Sequence, residues 1–506
     1  MNRFASACIG MFLIGRLAFG GDFLLHYVSK PEQVYSYRHI RTASGPGYKV
    51  YVLQMTSLTW RSQQEVSRPI WQHWLTLVVP DLLASPTGLL WIDGGTNDDP
   101  PPVTAEPAQV LLAMITGTVV ADLRMVPNQP MVFADEGIAR YEDAIIAYTF
   151  DKFLKTQDPN WPLLMPMTKA AVLAMDTVQS FLLSKTGHTV ERFVVSGASK
   201  RGWTTWLTAA VDSRVVAIAP AVIDVLNMAK QMRHHYSAYG FFSKAIKDYQ
   251  DMQIFCRLDS PEGRNLAQLV DPYAYKDRFS MPKLLINSCG DQFFLPDAGR
   301  FYVGELPGQT YLRYCPNTDH GLSGSDAVEV LLNFYRSQVG GLAMPQFTWS
   351  IDDQDRIIVR TQTRSSQVRL WQATNPHARD FRLQTIGPAW SSSVLQASEP
   401  DLYIAQVARP QSGWKAFFVE LVFDGTYASP IRLTTPVHVV PSCLPYAYKL
   451  GLDEDWDIDV ADIAILASQW LTAGPIADIA PICGDGWVDL QDYALLASVA
   501  SAEICR

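Results

Sequence analysis

The sequence predicts an α/β region followed by an antiparallel β-sandwich and a small helical tail, on three observations. From about residue 48 to 340, apolar runs alternate with helix-patterned stretches, the βαβ rhythm of an α/β fold. From 346 to 440, short alternating runs recur between turn residues and no long helical pattern intervenes, as in a β-sandwich. Beyond residue 450 two similar units follow, DIDVADIAILASQWL (457–471) and DGWVDLQDYALLASVA (485–500), an internal duplication.

In the first region the strand candidates are VYVLQMTSL (50–58), HWLTLVVP (73–80), GLLWIDGG (88–95), LLAMITGTVVADL (111–123), FVVSG (193–197), VVAIAPAVI (215–223), KLLINSCG (283–290) and TYLRYCPN (310–317). The later ones are continuous apolar runs, the pattern of strands buried on both faces of a parallel sheet. TKAAVLAMDTVQSFLLSK (168–185) reads as a helix closed by Gly187, and SDAVEVLLNFYRSQVGG (325–341) as one capped by Ser325 and stopped by Gly340. Residues 224–282 are long, aromatic and mixed, between two strands, and read as a helical cap. The expected boundaries are 21–342 for the α/β domain, 343–440 for the β-domain, 441–450 for a linker and 451–506 for the tail.

The chain has 506 residues, 48% hydrophobic and 18% charged, with a net charge of −9. It has ample material for globular cores. Eleven of the 50 acidic residues fall between Gly451 and Cys505, where there is no Lys or Arg. The remainder is near neutral and carries no basic stripe, which argues against a nucleic-acid binder. The N-terminus, MNRFASACIGMFLIGRLAFGGDF, has an early arginine, an apolar run and a small-x-small site near residue 20. It reads as a signal peptide. No later stretch approaches a membrane span, so an exported protein is expected, secreted, periplasmic or on the cell surface. Export permits disulfides among Cys256, Cys289, Cys315, Cys443, Cys483 and Cys505; spacing does not give the pairing, and Cys289 and Cys315 read equally well as buried thiols.

The chemistry centres on FVVSGASKRGW (193–203). A β run stops at a small-residue corner holding Ser199, and a helix follows. A serine hydroxyl needs a base in reach and a third group to orient that base. A strand-to-helix elbow projects Oγ from the sheet edge and aims backbone N–H groups at a developing oxyanion. The spacing, G-x-S-x-x-G, is one residue longer than the common elbow. Asp291 follows the strand at 283–290, and His320 lies in the loop after the next strand, before a helix. The order Ser, Asp, His and the strand-end placement fit an α/β-hydrolase. Asp297 ranks second as the acid; Asp319 adjoins His320 too closely to orient its ring. The oxyanion donors expected are the N–H of Lys200 and one near Gly95 or Thr96, after GLLWID. Lys200 and Arg201 could attract an anion but read better as structural ion pairs. His234 and His235 are adjacent, point apart, and lack a ligand pattern, so no metal is expected there. Trp161, Trp203 and Trp206 read as core before pocket.

VSGASKRGWTTWLTAAVD, AVIDVLN, INSCGDQFFLPD, YLRYCPNTDHGL, RYEDAIIAYTFDKFL and LWQATNPHARDFR resemble the PhoPQ-activated pathogenicity-related family, from about residue 25 to 440. The resemblance implies an α/β-hydrolase with a following β-domain, and by motif position supports Ser199, Asp291 and His320 as the triad. It says little about substrate. The elbow with a basic residue after the serine is also similar to glucuronoyl esterases. The tail resembles dockerin-type repeats, which implies calcium loops and a docking partner. The ligands would be Gly451, Asp453, Asp455, Asp459 and Asp462 in the first unit, and Pro481, Cys483, Asp485, Asp489 and Asp492 in the second, with Gly486 at the turn. Both loops depart from the pattern, and Trp456 stands where the first would have glycine. The spacing Ile463, Leu466, Ala467, Trp470 predicts a helix with one buried face. The expected function is a secreted serine hydrolase acting on an ester, a carbohydrate ester among them, or a peptide, with no cofactor for catalysis. The alternative is a non-catalytic signalling or binding protein on the same scaffold.

Overall fold

The computed structural model describes residues 21–340, 342–424, 429–474, 476–480 and 484–499. The expected signal peptide, and Cys8, Pro481, Cys483 and Cys505, lie outside them. In chain order come α1 (Gly21–Ser29), β1 (Ser36–Gly45), β2 (Tyr48–Thr59), β3 (Ile70–Pro80), β4 (Thr87–Ile92), α2 (Pro107–Thr116) and β5 (Val120–Leu123). A two-stranded hairpin, β6 (Met131–Val132) and β7 (Ala139–Arg140), precedes α3 (Asp143–Thr156) and α4 (Leu164–Thr186). Then follow β8 (Arg192–Ala198), α5 (Lys200–Val211) and β9 (Val215–Ala221). The cap carries α6 (Met228–Tyr239), α7 (Lys247–Asp251) and α8 (Pro261–Val270), and β10 (Lys283–Ser288), β11 (Thr310–Cys315) and α9 (Ala327–Gln338) complete the region.

These strands form one sheet of order β1-β2-β3-β5-β4-β8-β9-β10-β11, antiparallel from β1 to β5 and parallel from there on. Its two faces take alternate residues, as a pleated strand requires. Phe193 and Val195 pack with α4 and α5 residues on one side; Val194 packs with α2 and α9 residues on the other. Two expectations need correction. Residues 111–116 are helical, because Pro107 opens α2 and Gly117, at φ 62°, closes it ahead of a four-residue strand. Strand β1 gave no apolar run, because as an edge strand it is exposed or half-buried throughout.

The β-rich region holds β12 (Phe347–Ile351), β13 (Ile357–Thr361), β14 (Gln367–Asn375), α10 (Leu383–Ile386), β15 (Ser391–Val394), β16 (Leu402–Ala405), β17 (Trp414–Phe423), β18 (Ile431–Thr434) and β19 (His438–Val440). Its strands make two antiparallel sheets, β12-β13-β16 and β15-β14-β17-β18 with β19 on β17. Ile357 and Val359 of one sheet and Val419 and Leu421 of the other share an apolar cluster with Ala217, Leu284 and Phe334 of the α/β region. The two regions therefore have a common core. A buried ion pair, Arg313 to Glu420 at 2.5 Å, ties β11 to β17, and Tyr314 N–H donates to Thr434 Oγ1 at 3.1 Å.

The tail has its own small core of Leu452, Leu466, Ala477, Val488 and Leu496, around α11 (Val460–Ser468) and α12 (Leu490–Val499). Ile463 is 42% exposed and Ala467 also faces outward, against expectation. The helix is rotated so that Asp462, fully buried, turns inward with Leu466. Cys256 in the cap and Cys443 ahead of the tail are disulfide-bonded, whereas Cys289 and Cys315 are buried free thiols. No helix among the described residues is long and apolar enough to cross a membrane.

Candidate active site

The elbow forms because strand and helix approach too closely for side chains at two positions. A Cβ on Gly197 would lie 2.8 Å from the Arg201 carbonyl, and one on Gly202 would lie 2.9 Å from the Gly197 oxygen. Between them Ser199 takes φ 56° and ψ −128°, a strained conformation for a residue with a side chain. Its N–H donates to Ala221 O at 2.8 Å, locking the corner to β9. Lys200 opens α5, so its backbone N–H is one of those the helix leaves unpaired.

His320 is held by one segment, Asp291 to Phe294. Its Nδ1 lies 2.8 and 3.0 Å from the Asp291 oxygens. A carboxylate only accepts, so Nδ1 carries the proton and Nε2 the lone pair. Gln292 Oε1 accepts the His320 N–H at 3.0 Å, and the Phe293 ring packs on the imidazole with centroids 4.2 Å apart. Asp291 is itself oriented, accepting the Phe293 N–H at 2.7 Å. Ser288 Oγ donates to Thr318 O at 2.7 Å, which stitches the acid loop to the histidine loop. The Leu383 N–H, from the β-rich region, donates to Gly290 O at 3.0 Å.

Ser199 and the Phe293–Phe294 pair line one cavity. His320 Nε2 is buried and makes no hydrogen bond among the described residues. The Asp291–His320 pair is thus assembled, with Nε2 carrying no partner among the described residues.

The other sequence-predicted residues separate cleanly. Asp297 is buried 3.0 Å from His234 Nε2 and 2.6 Å from Arg379 Nη2, away from His320. His235 Nε2 accepts the Ser243 N–H at 3.1 Å, so the two histidines do point apart. Thr96 is corrected as an oxyanion donor. Its N–H and hydroxyl both donate to Asp99, at 2.9 and 2.6 Å, closing a turn that the Gly-Gly motif did not reveal. Lys200 and Gly95 remain as the expected donor pair, with Gly95 at φ 131°. Trp203 lines the cavity and donates to Val270 O at 2.6 Å. Trp161 instead stacks under Arg61, and Trp206 packs on Phe279.

Sequence reasoning missed Glu142. It sits at φ 49° and ψ −124°, takes Lys200 at 2.7 Å, and accepts two hydrogen bonds from Arg201 at 2.7 Å. Burial pushes its carboxyl up, but the Arg201 hydrogen bond and the two cations outweigh this and hold it at about 2. Arg201 also donates to Val126 O at 2.6 Å, and a Cβ on Gly94 would lie 2.7 Å from its Nη2. The guanidinium therefore braces the elbow against the Gly94–Gly95 loop. The basic pair after Ser199 was the available signal, since two adjacent cations in a buried corner need an acid. Asp224 was also missed. It receives the Tyr302 hydroxyl and, at 3.3 Å, the Tyr314 hydroxyl, and burial pushes its carboxyl up to about 7.

Of the expected calcium ligands, Pro481 and Cys483 lie outside the described residues, and the carboxylates of the others are engaged by backbone groups. Among the described residues no three His, Cys, Asp or Glu side chains are grouped for a metal. Asp462 accepts the Leu452 N–H and, at 2.8 Å, the Asp459 N–H. Asp492 accepts those of Ile479, Ala480 and Asp489 at 2.6, 2.8 and 2.7 Å. Asp459 and Asp489 cap α11 and α12 through the N–H groups of Ala461 and Gln491. Asp455 and Asp485 accept the N–H two residues on, each closing a turn. Asp453 is nudged up by partial burial and by the neighbouring Asp455 and Asp462 charges.

A nine-stranded sheet of this order, an elbow serine after the parallel strand β8, and an acid and histidine after β10 and β11 define an α/β-hydrolase fold. The chain belongs to the PhoPQ-activated pathogenicity-related protein family, whose model matches residues 24–382. It is 35% identical over 452 residues to the autocrine proliferation repressor protein A of Dictyostelium discoideum, covering 83% of this chain and 90% of that one. Among solved structures it is similar to acetyl xylan esterase 1 from Thermoanaerobacterium sp. (14% identity, 63% of this chain, 92% of that one, TM-score 0.44). A glucuronoyl esterase from Solibacter usitatus is similar over the same shares, at 14% identity and TM-score 0.38. Likenesses at that level say nothing about substrate.

Proposed function

We propose that this chain is an exported serine hydrolase that cleaves an ester or peptide-like amide through an acyl-enzyme. Ser199 Oγ attacks the substrate carbonyl carbon while its proton passes to His320 Nε2. Asp291 holds the resulting imidazolium, and the N–H groups of Lys200 and Gly95 receive the oxyanion. The proton then goes to the leaving oxygen or nitrogen, that bond breaks, and water releases the acid by the same steps in reverse roles. The observation that carries this reading is a strained serine elbow sharing a cavity with a cradle that fixes the imidazole, its Nε2 lone pair unspent. Disulfide-bonded Cys256 and Cys443 support an oxidising compartment. A fluorophosphonate probe should label wild type and spare Ser199→Ala, and ester turnover should fall about 10⁴-fold or more in that variant. Equal labelling of both would leave the rival reading, a binding protein on a hydrolase scaffold.

A further inference from the structure

The cavity at Ser199 is small, about 50 Å³, room for one compact group rather than for a whole drug-sized ligand. Its wall is almost wholly apolar. Phe150, Trp203, Val225, Ile254, Phe255 and Leu258 face it, and most of these come from the cap. The charged groups at the wall are Asp143 and Lys200, and both are already satisfied. Lys200 Nζ lies 3.0 Å from Asp143 and 2.7 Å from Glu142, and the Tyr249 hydroxyl donates to Asp143 at 2.9 Å. Among the described residues an anionic ligand finds no free cation at this wall, and sugar hydroxyls would lose water without gaining partners.

Resting on the hydrolase reading above, we infer that the substrate presents an uncharged apolar group, aromatic or short aliphatic, to this cavity next to the scissile carbonyl. The cap residues are then specificity determinants, and a carboxylate-bearing or hydroxyl-rich group is excluded from that subsite. Hydrophobic burial drives binding, and the satisfied ion pairs at the wall reject polar competitors by leaving their groups unpaired.

The test uses the full chain and p-nitrophenyl esters of acyl length C2 to C12, with phenylacetate, the charged glutarate monoester, and acetylated xylan. The expected result is a peak in kcat/KM at butyrate to octanoate or phenylacetate, at least ~100-fold above the glutarate ester. Ile246, also at the wall, supplies the variants. Ile246→Phe should move the optimum to shorter acyl chains and Ile246→Ala to longer ones; the second remains informative if the first does not fold. Probe labelling of Ser199 with preferred turnover of the glutarate ester, or with an optimum that neither variant moves, overturns this inference and leaves the hydrolase reading standing. No labelling of Ser199 overturns both.

Discussion

Two regions follow the α/β domain, and they are attached in opposite ways. The β-rich region shares its core, buries the Arg313–Glu420 and Asp297–Arg379 ion pairs, and reaches Gly290 beside the candidate acid through Leu383. The tail closes a separate five-residue core and meets the body around Trp456, which packs on Tyr236 and Phe242 with centroids 5.8 and 5.9 Å apart and donates to Asp259 at 3.4 Å, while Glu454 lies 3.6 Å from Arg233. Both lie beyond the hydrolase strands in sequence. The first contributes more to the scaffold around Asp291, because buried charges and a broad shared apolar surface make folding cooperative, whereas the tail brings only Trp456 and its neighbours to the body.

The sharpest way to break that contrast is Arg379→Met, which leaves buried Asp297 with His234 and, at 3.7 Å, Arg300. A loss of about 3–5 kcal/mol in chemical denaturation is expected, with lower ester turnover as the Gly290–Asp291 loop loosens. The pair should also show in pH. Burial would push Asp297 up, but Arg379 and His234 hold it well below the ordinary carboxylate range. Its folded value is thus depressed, so its contribution is present above the unfolded value near 4 and is lost as pH falls through the folded one. Wild type should weaken along that acid limb; Arg379→Met should not. A variant as stable and active as wild type would mean the β-rich region is an appended module after all.

A smaller effect is expected from Trp456→Ala, roughly 2 kcal/mol in the coupling of tail to body. Thermal unfolding should separate into two transitions while ester turnover stays unchanged. One unsplit transition with impaired turnover would place the tail within the scaffold. Smallest is Asp492→Asn, at about 1 kcal/mol and confined to the tail transition. Because its carboxylate is spent on backbone N–H groups, millimolar calcium should shift that transition no more than magnesium does. A calcium-specific rise would show that the acids rearrange around an ion.

Much of the site could be read from local pattern. Gly197, Ser199 and Gly202 mark an elbow because close backbone approach admits only glycine, and Asp291 and His320 stand at consecutive strand ends. The Gln292–Phe294 cradle sits in plain view in the chain, yet its role depends on the Ser288–Thr318 stitch. Lys200 and Arg201 signalled that an acid was needed, but that Glu142 supplies it is decided only when a distant turn meets them. Thr96 failed because a neighbouring aspartate competes for its N–H.

By itself the sequence determined most of the sheet strands and the order of Ser199, Asp291 and His320, because hydrophobic period, turn residues and chain order are local properties. Only the tertiary structure decided which carboxylate serves which cation, and that the cavity at Ser199 is walled mostly by apolar side chains. Those depend on residues from remote segments excluding water together, and a hydrogen bond or a charge has its strength set by that shared enclosure rather than by its own stretch of chain.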